Sequence, residues 1–306
     1  MVNITIITPF FNCEKIIKKH YDFHKSLTNK SNCEIIYVND CSTDRSYKIL
    51  KKNVSKGKIK NIHIYSVNKN QGPGIARNLA IRKSSGNYLI FLDVDDKLEL
   101  KIFYRIIEKI KKNKSDIFFL GYKKKNNLQI DLSKNKFSKK ILLEKYLRTE
   151  LDMNPNFYIF RKNFLLKNKI FFKKGFYEDI PFILKCFFHS KKFISIPEKL
   201  YIKNSIEGSI TNTFSEKHLI SFINSSKEKF KFFNLKMKSK VPLYFTNNLQ
   251  YGLRGDYCFV KKNIAKSNLK KNNLRKIINF YKKLISPNFT ALTHYDKIVK
   301  EDLFSK

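Results

Sequence analysis

Three carboxylates crowd into four residues at one point of the chain. The segment Asp93–Asp96 is Asp-Val-Asp-Asp and directly follows the apolar run Tyr88–Leu92. Carboxylates this close repel one another unless a cation lies among them. Such hard oxygen ligands suit Mg²⁺ or Mn²⁺, which bind substrate phosphates as well as protein oxygens. The alternative is an acidic helix start, in which Asp95 or Asp96 caps a helix that begins near Leu98. The segment alone leaves both interpretations open.

The surrounding sequence alternates between short apolar runs and amphipathic stretches. The first 120 residues predict five strands, namely Asn3–Thr8, Glu34–Val38, Ile62–Val67, Tyr88–Leu92 and Asp116–Leu120. The helices predicted between them are Glu14–Leu27, Thr43–Asn53, Gly74–Ser85 and Leu98–Lys112. This order is typical of βαβ units and predicts an α/β fold with a mostly parallel sheet flanked by helices.

Ligands of such sheets bind at the carboxyl ends of the strands. The predicted strand ends carry polar groups at Asn12 and Glu14, at Asn39 and Asp40, across residues 68–78, and at 93–96. The pair Gly72 and Gly74 also fits part of a dinucleotide loop, but its third glycine is replaced by Arg77 and the loop follows the third strand rather than the first. We therefore do not expect a dinucleotide cofactor.

The remainder of the chain predicts a domain boundary near residue 212. Residues 123–140 are lysine-rich and predict a surface loop, and the pattern then mixes helices with the short strands Phe157–Phe160, Phe193–Ile196 and Leu200–Ile202. From Ser215 the pattern is helical. We expect a first domain over 1–212, with halves 1–122 and 123–212, and a basic helical C-terminal region over 213–306.

Composition narrows the class of protein. The chain has 63 Lys+Arg against 25 Asp+Glu, a net charge of +38, yet only eight of the basic residues are Arg. Specific nucleic-acid recognition favours Arg, which is scarce here. The abundant Lys, Asn, Ile and Phe share A/T-rich codons, so base composition accounts for much of the lysine. We therefore expect no specific nucleic-acid partner.

Five scattered cysteines and no CxxC motif argue against a disulfide framework or a zinc site. The apolar start predicts a strand rather than a signal peptide, and no apolar run is long enough to span a bilayer. The expected location is cytoplasmic.

Four ordered segments resemble the family 2 glycosyltransferases of the GT-A fold. Pro9–Glu14 resembles the family's opening motif, Pro-x-Tyr-Asn-x-Glu, and Glu34–Ser46 resembles its Glu-Ile-Ile-x-Val-Asp-Asp-Gly-Ser-Thr-Asp-x-Ser motif. Asn70–Asn78 resembles the motif Asn-x-Gly-x-x-x-Ala-Arg-Asn, and Gly86–Asp96 resembles the segment that ends in Asp-x-Asp-Asp. Downstream, Tyr177–Asp179 resembles the acceptor-side Glu-Asp motif, and Pro197–Thr211 the loop that often follows it. Asn39 replaces the first Asp of the second motif and Cys41 replaces its Gly, whereas the second acid, Asp40, is retained.

The resemblance implies a Rossmann-like GT-A fold, a nucleotide-sugar site in residues 1–122, and an acceptor-side half in 123–212. The implied nucleotide-sugar-binding residues are Pro9, Phe11, Asn12, Glu14, Asn39, Asp40, Gly72, Arg77, Asn78, Asp93 and Val94. Phe11 would stack on the base, Asp40 would accept a hydrogen bond from a uracil ring, and Arg77 would supply a charge-assisted contact.

The chemistry implied is inverting transfer of one sugar from a UDP-sugar to a saccharide acceptor in surface polysaccharide, lipooligosaccharide or capsule synthesis. Asp95, with Asp93, would bind Mn²⁺ or Mg²⁺ on the diphosphate, and Asp179, or else Glu178, would be the base. The Gln-x-x-Arg-Trp motif of processive members is absent, so single addition is implied. An acidic pair at a helix start is the alternative for Glu178 and Asp179.

Two other functions compete with this interpretation. A sugar-nucleotide pyrophosphorylase would need a Gly-rich, Arg-containing loop after the first strand, where Pro9–Cys13 stands instead. A catalytically silent nucleic-acid-binding or membrane-binding protein would explain the charge but not the carboxylates. An anionic membrane surface and a lipid-linked saccharide are expected partners of the basic C-terminal region. His20 and His24, one helical turn apart, have no accompanying acid motif and are expected on a solvated helix face.

Overall fold

The computed structural model describes residues 4–31, 33–120, 139–148, 150–203, 215–236, 243–264 and 271–285. The chain divides into two compact units. The first contains Met1–Lys139 and Asn154–Ile206, and the second contains Lys140–Met153 and Glu207–Lys306. This division differs from the expected boundary at 212, because the segment Lys140–Met153 joins the helical unit. The predicted loop at 123–140 and the Gly208–Thr211 part of the downstream loop lie almost wholly outside the described residues, and the division at 122 stays a prediction.

The first unit is built on a seven-stranded sheet. In chain order the strands are β1 (Ile4–Phe10), β2 (Glu34–Asn39), β3 (Ile62–Ser66), β4 (Tyr88–Phe91), β5 (Lys97–Leu98), β6 (Ile117–Leu120), β7 (Tyr158–Arg161), β8 (Phe193–Ile196) and β9 (Tyr201–Ile202). The sheet order is β3-β2-β1-β4-β7-β6-β8, and β5 pairs with β9 in a separate antiparallel ribbon. Only β7 runs against its neighbours, so the sheet is mostly parallel, as the sequence predicts.

Helices alternate with the strands along the chain and divide between the two units. The first unit contains α1 (Ile17–Lys30), α2 (Ser46–Gly57), α3 (Pro73–Lys83), α4 (Leu100–Lys112), α6 (Lys162–Lys167) and α7 (Asp179–His189). The second unit contains α5 (Lys139–Leu147) from its second residue onward, α8 (Glu216–Lys236), α9 (Leu243–Ile264) and α10 (Lys271–Leu284). Every residue of β1, β4 and β6 is buried. Burial on both faces explains why these strands are continuous apolar runs rather than alternating ones.

The pair of histidines in α1 corrects one expectation. His20 and His24 do not lie on a solvated face: His20 is 5% exposed and His24 is fully buried. The centroids of the two imidazole rings lie 4.3 Å apart in an edge-to-face arrangement. Both rings pack against Tyr37 of β2, whose hydroxyl lies 3.1 Å from His20 Nδ1. Burial lowers the pKa of both imidazoles, that of His20 to about 3, so they pack as neutral aromatic rings. Their i,i+4 step places them on the inward face of α1.

The second unit contains a buried ion pair within its helical core. Lys229 of α8 donates from Nζ to Asp256 of α9 at 2.6 Å, and Ser226 donates to the same carboxylate oxygen at 2.6 Å. Lys229 is 2% exposed, so at least one lysine of this region serves packing rather than solvation. Among the described residues, no helix is both long enough and apolar enough to cross a membrane.

Candidate active site

The carboxyl ends of three parallel strands meet at one edge of the sheet. Phe10 of β1 pairs with Asn39 of β2, and Ile7 of β1 pairs with Phe91 of β4. The loops that follow these strands carry three of the motifs singled out in the sequence. Parallel pairing therefore brings together residues that lie some 30 to 80 positions apart in the chain.

The loop after β1 is bonded to the loop after β2. Asn12 adopts a positive φ of 43° and accepts from the backbone N–H of Thr43 at 2.8 Å. Glu14 accepts from the backbone N–H of Arg45 at 3.1 Å and from its Nε at 3.2 Å, and this contact lowers the pKa of Glu14. The side chains of Asn12 and Glu14 thus join two loops. The helices α1 and α2 begin three residues later than predicted, because Glu14 and Thr43, their predicted first residues, take part in these bonds between the loops.

The same edge contains an exposed ring and a buried carboxylate. Phe11 is 43% exposed, whereas Asp40 is 4% exposed. Asp40 accepts from the backbone N–H groups of Gln71 at 3.1 Å and Gly72 at 2.9 Å, and burial raises its pKa despite these bonds. Phe11 is therefore not a core aromatic, and Asp40 fixes the loop that precedes α3.

Two further residues predicted to bind nucleotide lie in the sheet or at its end. Pro9 is buried within β1 opposite Val38. Asn39 closes β2 and accepts from the backbone N–H of Ser42 at 2.9 Å. Cys41, in place of the family's glycine, adopts a φ of 62°. A positive φ of this size is uncommon for a residue with a side chain and is one that glycine adopts readily.

A segment on the acceptor side, Phe172–Glu178, packs directly on the start of α3. A Cβ at Gly74 would lie 2.6 Å from Glu178 Cγ and 2.8 Å from the carbonyl oxygen of Lys173, so a larger residue does not fit. Asn78 binds Phe172 twice, through Nδ2 to its carbonyl at 2.8 Å and through Oδ1 from its N–H at 2.9 Å. Gly72 has a φ of 92°, and a Cβ there would lie 3.0 Å from the carbonyl oxygen of Gly175. These contacts hold the Glu178 region against the donor-side motifs.

Arg77 is the centre of the site. Its NH1 donates to Glu178 Oε1 and its NH2 to Asp93 Oδ1, both at 2.9 Å, and the side chain is 6% exposed. Burial works against the cation, but the charges of Asp93 and Glu178 outweigh it and raise the pKa of Arg77. The guanidinium also lies 5.4 Å from the Phe172 ring centroid. Arg77 is thus a buried connector of two carboxylates and not a surface cation.

The acidic segment after β4 forms a turn whose carboxylates have different partners. Asp93 accepts from Arg77 through Oδ1 and from Asn156 Nδ2 through Oδ2 at 2.8 Å. Asp96 is buried and accepts from the Tyr201 hydroxyl. Asp95 is half-buried, and its pKa is raised by burial and then by the charge of Asp93. Val94, between them, is half-exposed.

The helix-cap interpretation of this segment is wrong. The helix α4 begins at Leu100, and its cap is Glu99, whose carboxylate accepts from the N–H of Lys101 at 3.3 Å. The residues between are taken up by β5, which the sequence did not predict. Neither Asp95 nor Asp96 caps a helix.

Glu178 and Asp179 lie at the start of α7, as an acidic pair at a helix N-terminus would. Tyr177 precedes them with a φ of 56°, and Glu178 turns to Arg77 rather than to the helix backbone. Burial raises the pKa of Glu178, partly offset by Arg77. Burial and the charge of Glu178 raise the pKa of Asp179 to about 7. A carboxylate with a pKa near neutral pH has the proton affinity that a general base needs.

The carboxylates of the acidic turn offer few protein ligands for a divalent cation. In the described part of the chain, no cluster of three or more His, Cys, Asp or Glu side chains could hold a metal ion. Asp95, with Asp93 nearby, still fits a Mg²⁺ or Mn²⁺ ion that takes its remaining ligands from substrate phosphates and water. Burial is the main cause of the raised pKa of Asp95, and the charge of Asp93 adds to it, so a nearby cation would favour the ionised carboxylate. The site fits a shared metal but not an all-protein cage.

Two residues of this network were not among the site residues expected from the sequence. Asn156 lies in a 3₁₀ turn, Pro155–Phe157, and is fully buried. Tyr201 in β9 is 9% exposed and lies 105 positions from its partner Asp96. For Asn156 only the dipeptide Asn154-Pro155 indicates a turn. Tyr201 lies in the stretch Pro197–Thr211 that resembles the family's downstream loop, but nothing in that stretch points to Asp96.

Comparison with known proteins identifies the class to which this fold and site belong. The profile of glycosyl transferase family 2 matches residues 5–177. The match covers more than half of the chain and includes the whole donor-side edge with Glu34–Ser46 and Asp93–Asp96. The chain belongs to glycosyl transferase family 2.

Particular relatives support the assignment. The chain is 29% identical over 224 residues to the uncharacterized glycosyltransferase EpsJ of Bacillus subtilis, which covers 68% of this chain and 62% of EpsJ. It is 26% identical over 205 residues to the poly(ribitol-phosphate) beta-N-acetylglucosaminyltransferase TarS of Staphylococcus aureus, covering 66% of this chain and 35% of TarS. The chain thus spans less than two thirds of the length of these relatives.

The solved structures show the fold. The crystal structure of S. aureus TarS 1–349 in complex with UDP-GlcNAc has a TM-score of 0.69 at 20% identity and covers 98% of this chain and 89% of that one. A mannosyltransferase from Pyrobaculum calidifontis, solved with GDP-Man and Mn²⁺, has a TM-score of 0.55 at 12% identity, covering 91% of this chain and 84% of the other. The expected GT-A fold, with helices flanking a mostly parallel sheet and a helical C-terminal part, is confirmed.

Proposed function

We propose that this chain transfers a single sugar from a UDP-sugar to a hydroxyl of a saccharide acceptor, with inversion at the anomeric carbon. The observation that carries the proposal is the buried Arg77, which binds Asp93 of the donor-side turn and Glu178 of the acceptor-side helix at 2.9 Å each. One cation thus joins the two carboxylate motifs on which such a transfer depends. A core packing role alone would not require two charged partners from distant segments.

Donor binding is assigned to the strand ends. The exposed Phe11 offers a ring face to a base. Asp40 keeps free lone pairs beyond the two N–H bonds it accepts, since each carboxylate oxygen has two, so it can also accept from a uracil ring. Asn12, Glu14 and Asn39 shape the loops around the nucleotide rather than offering unbonded side chains.

The transfer needs stabilisation of the departing diphosphate and a base for the acceptor hydroxyl. Asp95, with Asp93, would hold Mn²⁺ or Mg²⁺, which when bound supplies positive charge where the leaving group becomes negative. Asp179 takes the proton of the acceptor hydroxyl, on the face of the sugar opposite the diphosphate. Glu178, bonded to Arg77, orients the start of α7, and its charge adds to burial in raising the pKa of Asp179. One displacement with one base inverts the configuration.

The proposal for the acceptor and the setting is supported by the relatives and by the charge of the chain. TarS acts on poly(ribitol-phosphate), and an acceptor in surface polysaccharide, lipooligosaccharide or capsule synthesis is proposed here, with a hexose or an N-acetylhexosamine as the transferred sugar. We place the enzyme in the cytoplasm, with its basic C-terminal region on an anionic membrane surface near a lipid-linked acceptor. Residues 215–306 contain 20 Lys+Arg and six Asp+Glu. Equal sedimentation with neutral and anionic vesicles at low salt would contradict the membrane contact.

A donor screen tests the enzymatic proposal. The purified chain is incubated with a panel of nucleotide-sugars and Mn²⁺, and the released nucleoside diphosphate is measured, so that no acceptor has to be known. We expect slow hydrolysis of a UDP-sugar, its loss with EDTA, and its loss in Asp95→Ala. Proton NMR of the first sugar product reports its anomeric configuration. Hydrolysis with retained configuration would contradict inversion. If the chain neither binds nor hydrolyses any nucleotide-sugar, the proposed function is wrong.

A further inference from the structure

Asn156 reaches across the site to the acidic turn. Its Nδ2 donates to Asp93 Oδ2 at 2.8 Å and to the Tyr201 hydroxyl oxygen at 2.7 Å, so both amide hydrogens are used. The residue belongs to the short 3₁₀ turn before β7 and is fully buried. Because Arg77 occupies the other oxygen of Asp93, the Asp93 carboxylate is held from two sides.

Tyr201 holds the other end of the same turn. Its hydroxyl accepts from Asn156 and donates to Asp96. The antiparallel ribbon pairs Leu98 with Tyr201, which brings the phenol beside the turn. The ring of Phe157 meets the Tyr201 ring edge-on at 5.4 Å. The phenol is therefore fixed by backbone pairing and ring packing together.

The two anchored carboxylates flank Asp95. A backbone bond from the N–H of Asp96 to the carbonyl of Asp93, 3.0 Å, closes the turn. Asp93 is fixed by Arg77 and Asn156, and Asp96 by Tyr201. Asp95 is half-buried on the turn between these two fixed points, so its carboxylate is carried on a rigid support.

A packing role alone does not account for Asn156. Its Oδ1 is buried and has no hydrogen-bond partner within the described residues. A buried acceptor without a partner destabilises the fold, so an apolar side chain would serve packing better. The two hydrogen bonds that Asn156 Nδ2 donates account for an amide side chain at this position.

We propose that Asn156 and Tyr201 are positioning residues that fix both ends of the Asp93–Asp96 turn, so that Asp95 is preorganised for the divalent cation of a metal–nucleoside diphosphate. The proposal rests on the proposed function and adds to it two residues that touch neither substrate nor metal. They act through Asp93 and Asp96, in the way that outer residues orient metal ligands.

Calorimetric titration with UDP tests this role, once with Mn²⁺ and once with EDTA. Tyr201→Phe keeps the ring and removes only the hydroxyl. We expect this variant to weaken UDP binding in Mn²⁺ about 10-fold, which is the scale of losing one hydrogen bond to a charged group. Binding of UDP in EDTA is expected to change less than about twofold. Asn156→Ala is expected to shift binding in the same direction.

Tyr88→Phe is the matched control. Tyr88 is a buried tyrosine at the opposite end of β4, and its hydroxyl donates to the carbonyl of Ser115 at 3.3 Å. It is expected to leave UDP binding unchanged in both titrations. Thermal unfolding of every variant reports on folding, and if Asn156→Ala does not fold, Tyr201→Phe decides alone.

The outcomes separate this inference from the proposed function. A wild type that binds UDP more tightly with Mn²⁺, together with Tyr201→Phe that binds as tightly as wild type or more so, overturns the positioning role only. Equal losses with Mn²⁺ and EDTA overturn it as well, because they indicate a general structural defect. A wild type that binds no UDP removes the proposed function, and the inference with it.

Discussion

Replacing Arg77 with methionine tests whether one buried cation holds the two carboxylate motifs together. Methionine keeps an unbranched side chain of similar length but removes the charge and every donor. The side chains of Arg77 and Glu178 are 6% and 7% exposed, whereas that of Asp93 is 35% exposed. The main loss is therefore the Glu178 pair, because Asp93 can recover solvent. Breaking one fully buried ion pair by removing a partner costs about 3–5 kcal/mol, and we expect Arg77→Met to lower the free energy of unfolding by that amount near pH 8.

The loss must also depend on pH. Without Arg77, the pKa of the buried Glu178 rises further above its value in the unfolded chain. A group with a raised folded-state pKa takes up a proton on folding, so the stability it contributes is present at low pH and is lost as pH rises through the folded-state pKa. The deficit of Arg77→Met relative to wild type should therefore shrink between pH 8 and pH 5, by up to about 1.4 kcal/mol for each unit by which the pKa has moved.

Urea denaturation at several pH values, followed by fluorescence of the tyrosines or by circular dichroism, measures both effects. The matched control is Arg82→Met, which lies on the same helix, is exposed, and stacks on Phe171 at 4.6 Å. We expect it to cost less than about 1 kcal/mol at all pH values. The reasoning is refuted if Arg77→Met and Arg82→Met lower the free energy of unfolding equally, or if the Arg77→Met deficit is the same at pH 5 and pH 8.

Three further predictions concern the chemistry. Asp179→Asn should lower transfer about 10²–10⁴-fold, the range for removing a general base, while donor affinity measured by calorimetry stays within a few-fold; if Glu178→Gln is the inactive variant instead, the two roles are exchanged. Asp95→Ala should lower turnover at least about 10²-fold, and equal UDP affinity in Mn²⁺ and EDTA for the wild type would show the metal assignment to be wrong. The wild-type transfer rate should rise with pH through the pKa of about 7 of Asp179 and level off above it, because only the ionised carboxylate accepts a proton; a rate independent of pH from 5 to 8 would contradict Asp179 as the base.

The order of strands and helices was predictable because each element leaves a local signal. Strands buried on both faces need continuous apolar residues, and the helices between them need an apolar stripe, so β1, β2 and β4 could be read from the sequence within a residue or two. Polar residues directly after these strands then indicated one edge of the sheet. The resemblance of the motifs added the family, which the match over residues 5–177 confirms.

Several errors arose where a side chain's surroundings come from distant segments. The step from His20 to His24 predicts that both share a face of α1, but periodicity does not say whether that face meets solvent or Tyr37 of β2. A two-residue strand such as β5 has too few residues for any pattern. The cap of α4 is Glu99 rather than Asp95 or Asp96, because the ribbon with β9 occupies the residues between.

The α/β alternation, the family and the set of carboxylates could be inferred from the amino-acid sequence, since local apolar periodicity and contiguous motifs encode each of these. Three-dimensional packing alone makes Arg77 a buried bridge to Glu178, 101 positions away. It also makes Asn156 and Tyr201 anchors of the Asp93–Asp96 turn. The physical reason is that a hydrogen bond or ion pair depends on distances of about 3 Å between atoms. For residues so far apart in the chain, those distances are set by the packing of the whole sheet and its helices.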